Sequence, residues 1–367
     1  MILVLLFNLA YILLLIVFAW SAQKVTKAPE VKVPEPVLVS LIVPVRNEAR
    51  QLTALLQSLK NQDYPSIHTE WIFVDDHSED ETYALLSQEN DRRLKILRLP
   101  SGKTGKKAAL TMGIQAAQGS MVITTDADCI PMPEWISTLI AVAEQTQAIM
   151  VCGAVQISER GDLMSAFQAM ETGVLQISGA GSLNTGHPLL NTGTSLCFRK
   201  SAWENVNGYS DTEQIASGDD TFLMLKFQQK YPGRVIPCLY KAAIVSTAPA
   251  GNWKEILQQR IRWNGKVKHY PPGSIHMTGI IVLLSGLLWM FLPLFPGKPE
   301  RLLPVFFFIF IGRVIAEAAV LAVWKKATSQ SFSPVSILLM SVFYPVFTLF
   351  SFIIRPFMKT AWKGRRV

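Results

Sequence analysis

The chain has 367 residues, half of them apolar, a formal net charge of +8 and a mean hydropathy of +0.27. That hydropathy is too high for a purely soluble globular protein, and the apolar excess sits at the two ends, with about 250 residues of ordinary polarity between them, enough for one sizeable α/β domain. The four cysteines, Cys129, Cys152, Cys197 and Cys238, have no C-x-x-C spacing and no nearby His, which excludes a zinc site of the usual kind and leaves free, buried thiols in a reducing compartment.

The chain opens on an apolar run from Ile2 to Trp20, long enough at about 1.5 Å per residue to span a bilayer. No basic stretch precedes it, it is longer than the apolar part of a cleavable leader, and Lys24 and Lys27 follow it. It reads as an uncleaved anchor whose C-terminal end is cytoplasmic. A linker with Pro29, Pro34 and Pro36 comes next. Short β-rich runs then alternate with helical periods. Leu38 to Val43 reads as a buried strand, and Glu48 to Lys60 as an amphipathic helix with Leu52, Leu55, Leu56 and Leu59 on one face. Glu70 to Val74 is a second strand, followed by a helix capped by Ser78 with Glu81 three residues on. Leu94 to Leu99 is a third strand, Gly105 to Ala117 a helix, Met121 to Thr125 a fourth strand, and a helix starts near Pro133. This alternation predicts a parallel sheet with helices on its faces, and ligands of such sheets collect at the C-terminal strand ends.

The charged motifs fall at those ends. The first strand leads into Pro44-Val45-Arg46-Asn47-Glu48 and the second into Asp75-Asp76-His77-Ser78. Adjacent carboxylates there can accept from a nucleobase N–H and a ribose hydroxyl; Asp before Ser-x-x-Glu is equally an ordinary helix start. Ser101 to Lys107 places glycines and lysines at a helix start, which suits an anion and equally a solvated basic loop; it lacks the Walker spacing of an ATPase. Asp126 and Asp128 follow the fourth strand. Alternation would put both on one side, a pair that suits Mg²⁺ or Mn²⁺ together with phosphate oxygens. Asp219 and Asp220 open a helix, Thr221 to Gln229, where carboxylates either favour the dipole or serve as a base. Gln258 to Trp263 lies on a basic amphipathic segment, Trp253 to Tyr270, whose stripe of Trp253, Ile256, Leu257 and Ile261 suits a membrane interface.

Three apolar runs follow, Met277 to Phe295, Leu302 to Trp324 and Pro334 to Ile354, the first two joined by Pro296-Gly297-Lys298-Pro299-Glu300. Arg313 and Glu317 lie in the second at i, i+4, the spacing of a helical ion pair. At that depth they face other helices or a cavity. Three full crossings would put the basic tail, Lys363-Gly364-Arg365-Arg366, outside, against the positive-inside tendency; one segment that is re-entrant or interfacial would remove the conflict. The tail's charges also favour anionic lipid.

In this order the motifs Pro44-Val45-Arg46-Asn47-Glu48, Asp75-Asp76, Lys106-Lys107, Asp126-Ala127-Asp128, Gly218-Asp219-Asp220 and Gln259-Arg260-Ile261-Arg262-Trp263 resemble the membrane-bound branch of glycosyltransferase family 2. That branch has a GT-A fold and includes ceramide glucosyltransferase and the cellulose, chitin and hyaluronan synthases. The resemblance covers about residues 38–265 and the flanking helices. It implies a donor site of Pro44, Asn47, Glu48, Asp75, Asp76, Lys106, Lys107, Asp126, Gln259, Arg262 and Trp263. Asp75 and Asp76 would hold uridine, Lys106 or Lys107 would approach phosphate, and Asp128 with Asp126 would hold Mg²⁺ or Mn²⁺. Asp220 matches the catalytic base, with Asp219 beside it where the family usually has Glu. The implied reaction is inverting transfer from a nucleotide-sugar, a UDP-sugar above all, to a membrane lipid or a growing glycan. The expected setting is a bacterial inner membrane with the catalytic domain in the cytoplasm, and no nucleic-acid partner. The expected division is an anchor over 1–22, a linker over 23–37, the catalytic domain over 38–252, an interfacial segment over 253–274, membrane helices over 275–355 and a basic tail over 356–367. A processive polysaccharide synthase is the competing enzyme. A membrane-attached nucleotidyltransferase does not account for Gln259 to Trp263, and a transporter would need more spans.

Overall fold

The structure is a computed structural model that describes residues 1–26, 35–215, 217–294, 299–358, 361–362 and 365–366. Lys27, Pro29, Pro34, Phe295, the turn residues 296–298 and the tail residues Lys363 and Gly364 lie outside the described residues. The central sheet has seven strands. In chain order its parallel half is β1 (Val39–Val45), β2 (Thr69–Asp75), β3 (Leu94–Arg98) and β4 (Met121–Thr124). After β5 (Cys129–Pro131), which belongs elsewhere, come β6 (Met150–Cys152), β7 (Ala154–Ile157), β8 (Leu196–Arg199), β9 (Val235–Pro237) and β10 (Ile244–Thr247). The sheet order is β3-β2-β1-β4-β8-β6-β9, and β5, β10 and β7 form a second sheet of three strands. The strand β8 runs antiparallel to both its neighbours, so its N-terminal end meets the C-terminal end of β4. The first four strands match expectation. The six later ones and the second sheet carry no alternation strong enough to read.

Alternation along the strands sorts two cores. Leu41, Val43, Trp71 and Phe73 face one side, while Ile42, Ile72 and Val74 face the other. The helix α2 (Ala49–Lys60) buries Leu52, Leu55, Leu56 and Leu59 on the first side, each burial contributing about 1.5–3 kcal/mol. Pro44 is tolerated in a central strand because the β4 ladder ends at Ile42–Thr124, leaving no partner for the N–H that proline lacks. The next helix, α3 (Thr82–Gln88), starts later than the Ser78 cap predicts. Ser78 Oγ accepts the Asn47 N–H instead, and Asp80 Oδ1 accepts from the Thr82 N–H. Continuing in order are α4 (Lys106–Ala116), α5 (Trp135–Gln145), α6 (Leu163–Asn184), α7 (Lys200–Asn205), α8 (Asp219–Lys230) and α9 (Trp253–Lys266). All four cysteines are buried and unpaired.

The N-terminal helix α1 (Ile2–Gln23), together with α10 (Ser274–Met290), α11 (Pro299–Thr328) and α12 (Pro334–Ile354), forms the apolar part of the molecule. Among the described residues three helices are long and apolar enough to cross a membrane, Ile2–Gln23, Leu302–Thr328 and Pro334–Ile354. The first C-terminal run is shorter than expected, a helix of 17 residues. The domain does not stand apart from this bundle. Asn184 at the end of α6 donates from Nδ2 to the Ser21 carbonyl at 3.2 Å, and a Cβ added at Gly181 would strike the Phe18 backbone. Within the bundle, Arg313 and Glu317 form no ion pair with each other among the described residues. Arg313 Nη1 donates to Asn8 Oδ1 at 3.1 Å, and Glu317 accepts from the Tyr11 hydroxyl at 3.0 Å and from Ser341. Each finds its partners on neighbouring helices, as a buried charge in a tight bundle must.

Candidate active site

The C-terminal ends of β1 and β2 are buckled together. Asn47 and His77 both adopt left-handed backbone, φ 52 and 54, uncommon for residues with a Cβ and held here by side-chain bonds. Arg46 Nη1 donates to the carbonyls of Asp76 and His77 at 2.7 and 2.8 Å, and Asn47 Oδ1 accepts the Glu79 N–H at 2.8 Å. The Glu48 N–H donates to Thr82 Oγ1 at 2.7 Å. Asp75 is fully buried, accepts the Ser78 N–H and pairs with Arg98 at 3.2 Å. Asp76 accepts the Gly105 N–H at 2.9 Å, so a carboxylate of the protein itself occupies the head of α4 that the sequence offered to an anion.

The second half of the site is a charge cluster built from three segments. The fourth strand stops at Thr124, so Asp126 and Asp128 sit in the turn before β5 rather than on an extended strand. That turn, not strand alternation, brings them together. Burial first, and the neighbouring Asp126 second, push the Asp128 carboxyl up to about 6. Lys106, the first residue of α4, places Nζ 2.7 Å from Asp126 Oδ1 and 3.3 Å from Asp219 Oδ2. Burial would lower this ammonium, yet Asp126 and Asp219 hold it well above its ordinary value. Burial would likewise raise Asp219, and Lys106 with Lys266 outweighs it, holding the carboxyl below the usual range. Gly218, at φ 84, turns the chain into α8 so that Asp219 and Asp220 face this cluster; a side chain there would be strained and would meet Phe222 and Lys266.

The helix α9 closes the cluster from the side of the apolar bundle. Gln259, Arg262, Trp263 and Lys266 recur at i, i+3, i+4 and i+7 and share one face. Lys266 Nζ is 3.8 Å from Asp220 Oδ1. Burial lowers the Arg262 guanidinium, against the pull of Asp219, Asp126 and Asp220. The stripe of Trp253, Ile256 and Leu257 packs on α6 and α12 through Phe167 and Phe347, and Trp253 stays 41% exposed.

The structure thus divides the predicted residues. Pro44, Asn47, Glu48, Asp75 and Asp76 gather at the β1–β2 end; Lys106, Asp126, Asp128, Asp219, Asp220 and Arg262 form the charged cluster, and Gln259 and Trp263 share the α9 face that carries Arg262. Lys107 is turned away from the cluster: its Nζ donates to the Thr212 carbonyl at 2.6 Å, and burial lowers it to about 8. Two participants escaped sequence reasoning. Lys266 had a legible signal, one turn beyond Trp263 on the same face. Gly193, where an added Cβ would come 3.1 Å from both Lys106 Nζ and Asp219 Oδ2, had only the small residues of Thr192-Gly193-Thr194-Ser195 before β8. Among the described residues no three His, Cys, Asp or Glu side chains converge on one point as a ready-made metal cage.

A seven-stranded α/β sheet with carboxylates at its strand ends and a cleft where they interleave with lysines and an arginine is the arrangement of a GT-A glycosyltransferase domain. Residues 40–204 match the model of Glycosyl transferase family 2. The probable glycosyltransferase YdaM of Bacillus subtilis is 27% identical over 233 residues, 61% of this chain and 54% of that protein. This chain therefore spans about half the length of that relative. An undecaprenyl-phosphate 4-deoxy-4-formamido-L-arabinose transferase of Pseudomonas savastanoi pv. phaseolicola is 34% identical over 116 residues, 30% of this chain and 34% of that one. In three dimensions the mannosyltransferase PcManGT from Pyrobaculum calidifontis, solved with GDP-Man and Mn²⁺, superposes with a TM-score of 0.55 at 17% identity, covering 96% of this chain and 98% of that one. That likeness establishes the GT-A fold. Fold and family match together support a glycosyltransferase enzyme.

Proposed function

We propose that this protein transfers a sugar, with inversion, from a nucleotide-sugar to a lipid acceptor at the membrane surface. The observation that carries this reading is the cluster of Asp126, Asp128, Asp219 and Asp220, interleaved with Lys106, Arg262 and Lys266 and closed by a helix packed on the apolar bundle. Asp75 and Asp76, at the end of β2, would serve the nucleoside, as the motif resemblance implies, with the neighbouring Pro44, Asn47 and Glu48 holding that end of the cleft. The reading of the donor as a UDP-sugar rests on the motif resemblance.

The residues present fit a divalent cation. Two carboxylate groups in one turn, with hard oxygens only, suit an ion that completes its shell with phosphate oxygens. Asp128 and Asp126 would hold it. When bound, it supplies positive charge to the departing diphosphate. The rest is the chain's own work. Lys106 and Arg262 face the same region and add fixed positive charge where negative charge develops. Gln259 and Trp263 cover the outer side and exclude water. Asp220 accepts the proton of the acceptor hydroxyl, and Asp219, locked to Lys106, keeps that ammonium in place. A lipid acceptor is supported by the adjoining apolar helices and by the relative named for undecaprenyl phosphate.

The test incubates membranes carrying the protein with a panel of radiolabelled nucleotide-sugars, then extracts the lipids. One donor should label the lipid fraction with a single sugar. That labelling should vanish in EDTA or with Asp128→Ala, and Mn²⁺ or Mg²⁺ should restore only the wild type. A long labelled polymer would replace the reading by processive synthesis, and full activity in EDTA would remove the cation.

A further inference from the structure

Glu171 lies in the middle of α6, outside every motif, and is 1% exposed on a helix with no other charged residue. A carboxylate buried among apolar helices requires a charged partner. The partner is the Arg260 guanidinium of α9, in direct contact with it. Arg260 occupies one of the unassigned positions within Gln259 to Trp263, and its guanidinium lies 4.2 Å from the centre of the Trp263 ring. One helical turn separates Arg260 from Trp263, so the same side chain touches the carboxylate and covers the indole. The same stretch of α6 grips the start of α9: Gln168 Oε1 accepts the Ala250 N–H at 2.9 Å, and Phe167 packs on Trp253 at 5.5 Å. Toward its other end α6 is fixed to the bundle, where a Cβ at Gly173 would come 2.7 Å from the Trp324 ring and Asn184 is bonded to Ser21. One rigid helix therefore connects the membrane helices to the turn of α9 that carries Arg262 and Lys266.

We propose that Glu171 is a positioning residue: acting through Arg260, it fixes Trp263 and the register of α9 against the carboxylates, so that the site is assembled only on the intact bundle. This rests on the reading of α9 as the element that closes over the donor. A pair kept for stability alone could be exchanged for apolar residues without loss of function; a positioning pair could not.

Two measurements on the full-length chain in lipid nanodiscs separate these cases. The first needs no donor. With 5-fluorotryptophan incorporated, the ¹⁹F resonance of Trp263, assigned by its loss in Trp263→Phe, should shift or broaden in Glu171→Gln and in Arg260→Lys, while that of the core residue Trp135 stays put. The second is turnover of the donor that labels lipid. Arg260→Lys keeps the ion pair and the fold but loses the planar group over the indole, and kcat should fall about tenfold with donor KM little changed. The double variant Glu171→Leu/Arg260→Met, which leaves no charge buried, should recover thermal stability but not kcat. An unmoved Trp263 resonance, or wild-type kcat in the folded double variant, overturns the proposal. If Asp220→Asn is inactive while Arg260→Lys turns over normally, this inference alone fails; if Asp220→Asn itself turns over normally, the reading of the whole site fails with it.

Discussion

Asp219 and Asp220 are neighbours in the chain with different partners in space. Asp219 is bonded to Lys106 and held in its ionised form, whereas Asp220 faces Lys266 at the looser distance of 3.8 Å. A base needs a lone pair not committed to a tight ion pair, which favours Asp220. Asp220→Asn keeps size and helix-capping ability but cannot accept a proton. Transfer should fall at least about a hundredfold while UDP binding persists, and Asp219→Asn should be milder; normal turnover in Asp220→Asn, or a worse loss in Asp219→Asn, would move the assignment. Lys107 makes a separate prediction from its lowered value of about 8, against an ordinary 10.5. Between those two pH values the unfolded chain holds the proton and the folded chain does not, so this group raises stability as pH climbs from about 8 to 10.5. Lys107→Met should therefore flatten that rise in thermal midpoint relative to wild type. Parallel curves for the two proteins would show that Lys107 is not buried as described.

At the scale of elements, α6 and α9 decide most. The helix α6 begins with a side-chain cap, Asp162 accepting the Ser165 N–H, and its small residues permit close approach. Gly181 meets the backbone of α1 at Phe18, and backbone cannot swing aside as a side chain can. Gly181→Val should cost about 1–3 kcal/mol by overpacking, read as a lower thermal midpoint of the solubilised chain. An unchanged midpoint would mean that α1 and α6 are not in contact. The stripe on α9 looks interfacial because amphipathic helices that lie on lipid and those that lie on protein present the same pattern. The aromatic residues of α12 that α9 packs on lie more than 70 positions later in sequence.

At the scale of the whole molecule, the position of α12 bears on the conflict over the tail. By length and composition it qualifies as a span, yet both its ends are tied to the domain. Just before it, Gln330 Nε2 donates to the Ile157 carbonyl at 2.9 Å. Near its end, Asn264 of α9 donates to Ser351 Oγ at 3.0 Å. Bonds to the domain at both ends fit a helix that lies along the domain. With α12 along the domain, the expected place of the tail is the domain's side, which its basic charge favours. A C-terminal epitope tag should be digested by protease in sealed inverted vesicles and protected in right-side-out ones. The opposite pattern would make α12 a true crossing.

The sequence by itself determined what depends on local pattern. The four parallel strands, the apolar face of α2, the terminal apolar helices and the ordered carboxylates at strand ends all follow from period-two or period-3.6 alternation and from residue type. The short strands β6 to β10 were not legible, because three or four residues give no period and their pairing is decided by partners far along the chain. The same holds for the site. Asp126, Asp219 and Asp220 could be picked out by type and position. That Lys106 bridges two of them, that Lys107 turns to Thr212, and that Glu171 reaches Arg260 are facts of tertiary structure. Each is a pairing between segments 20 to 113 residues apart, and long-range electrostatic partners leave no mark on the local periodicity from which a sequence is read.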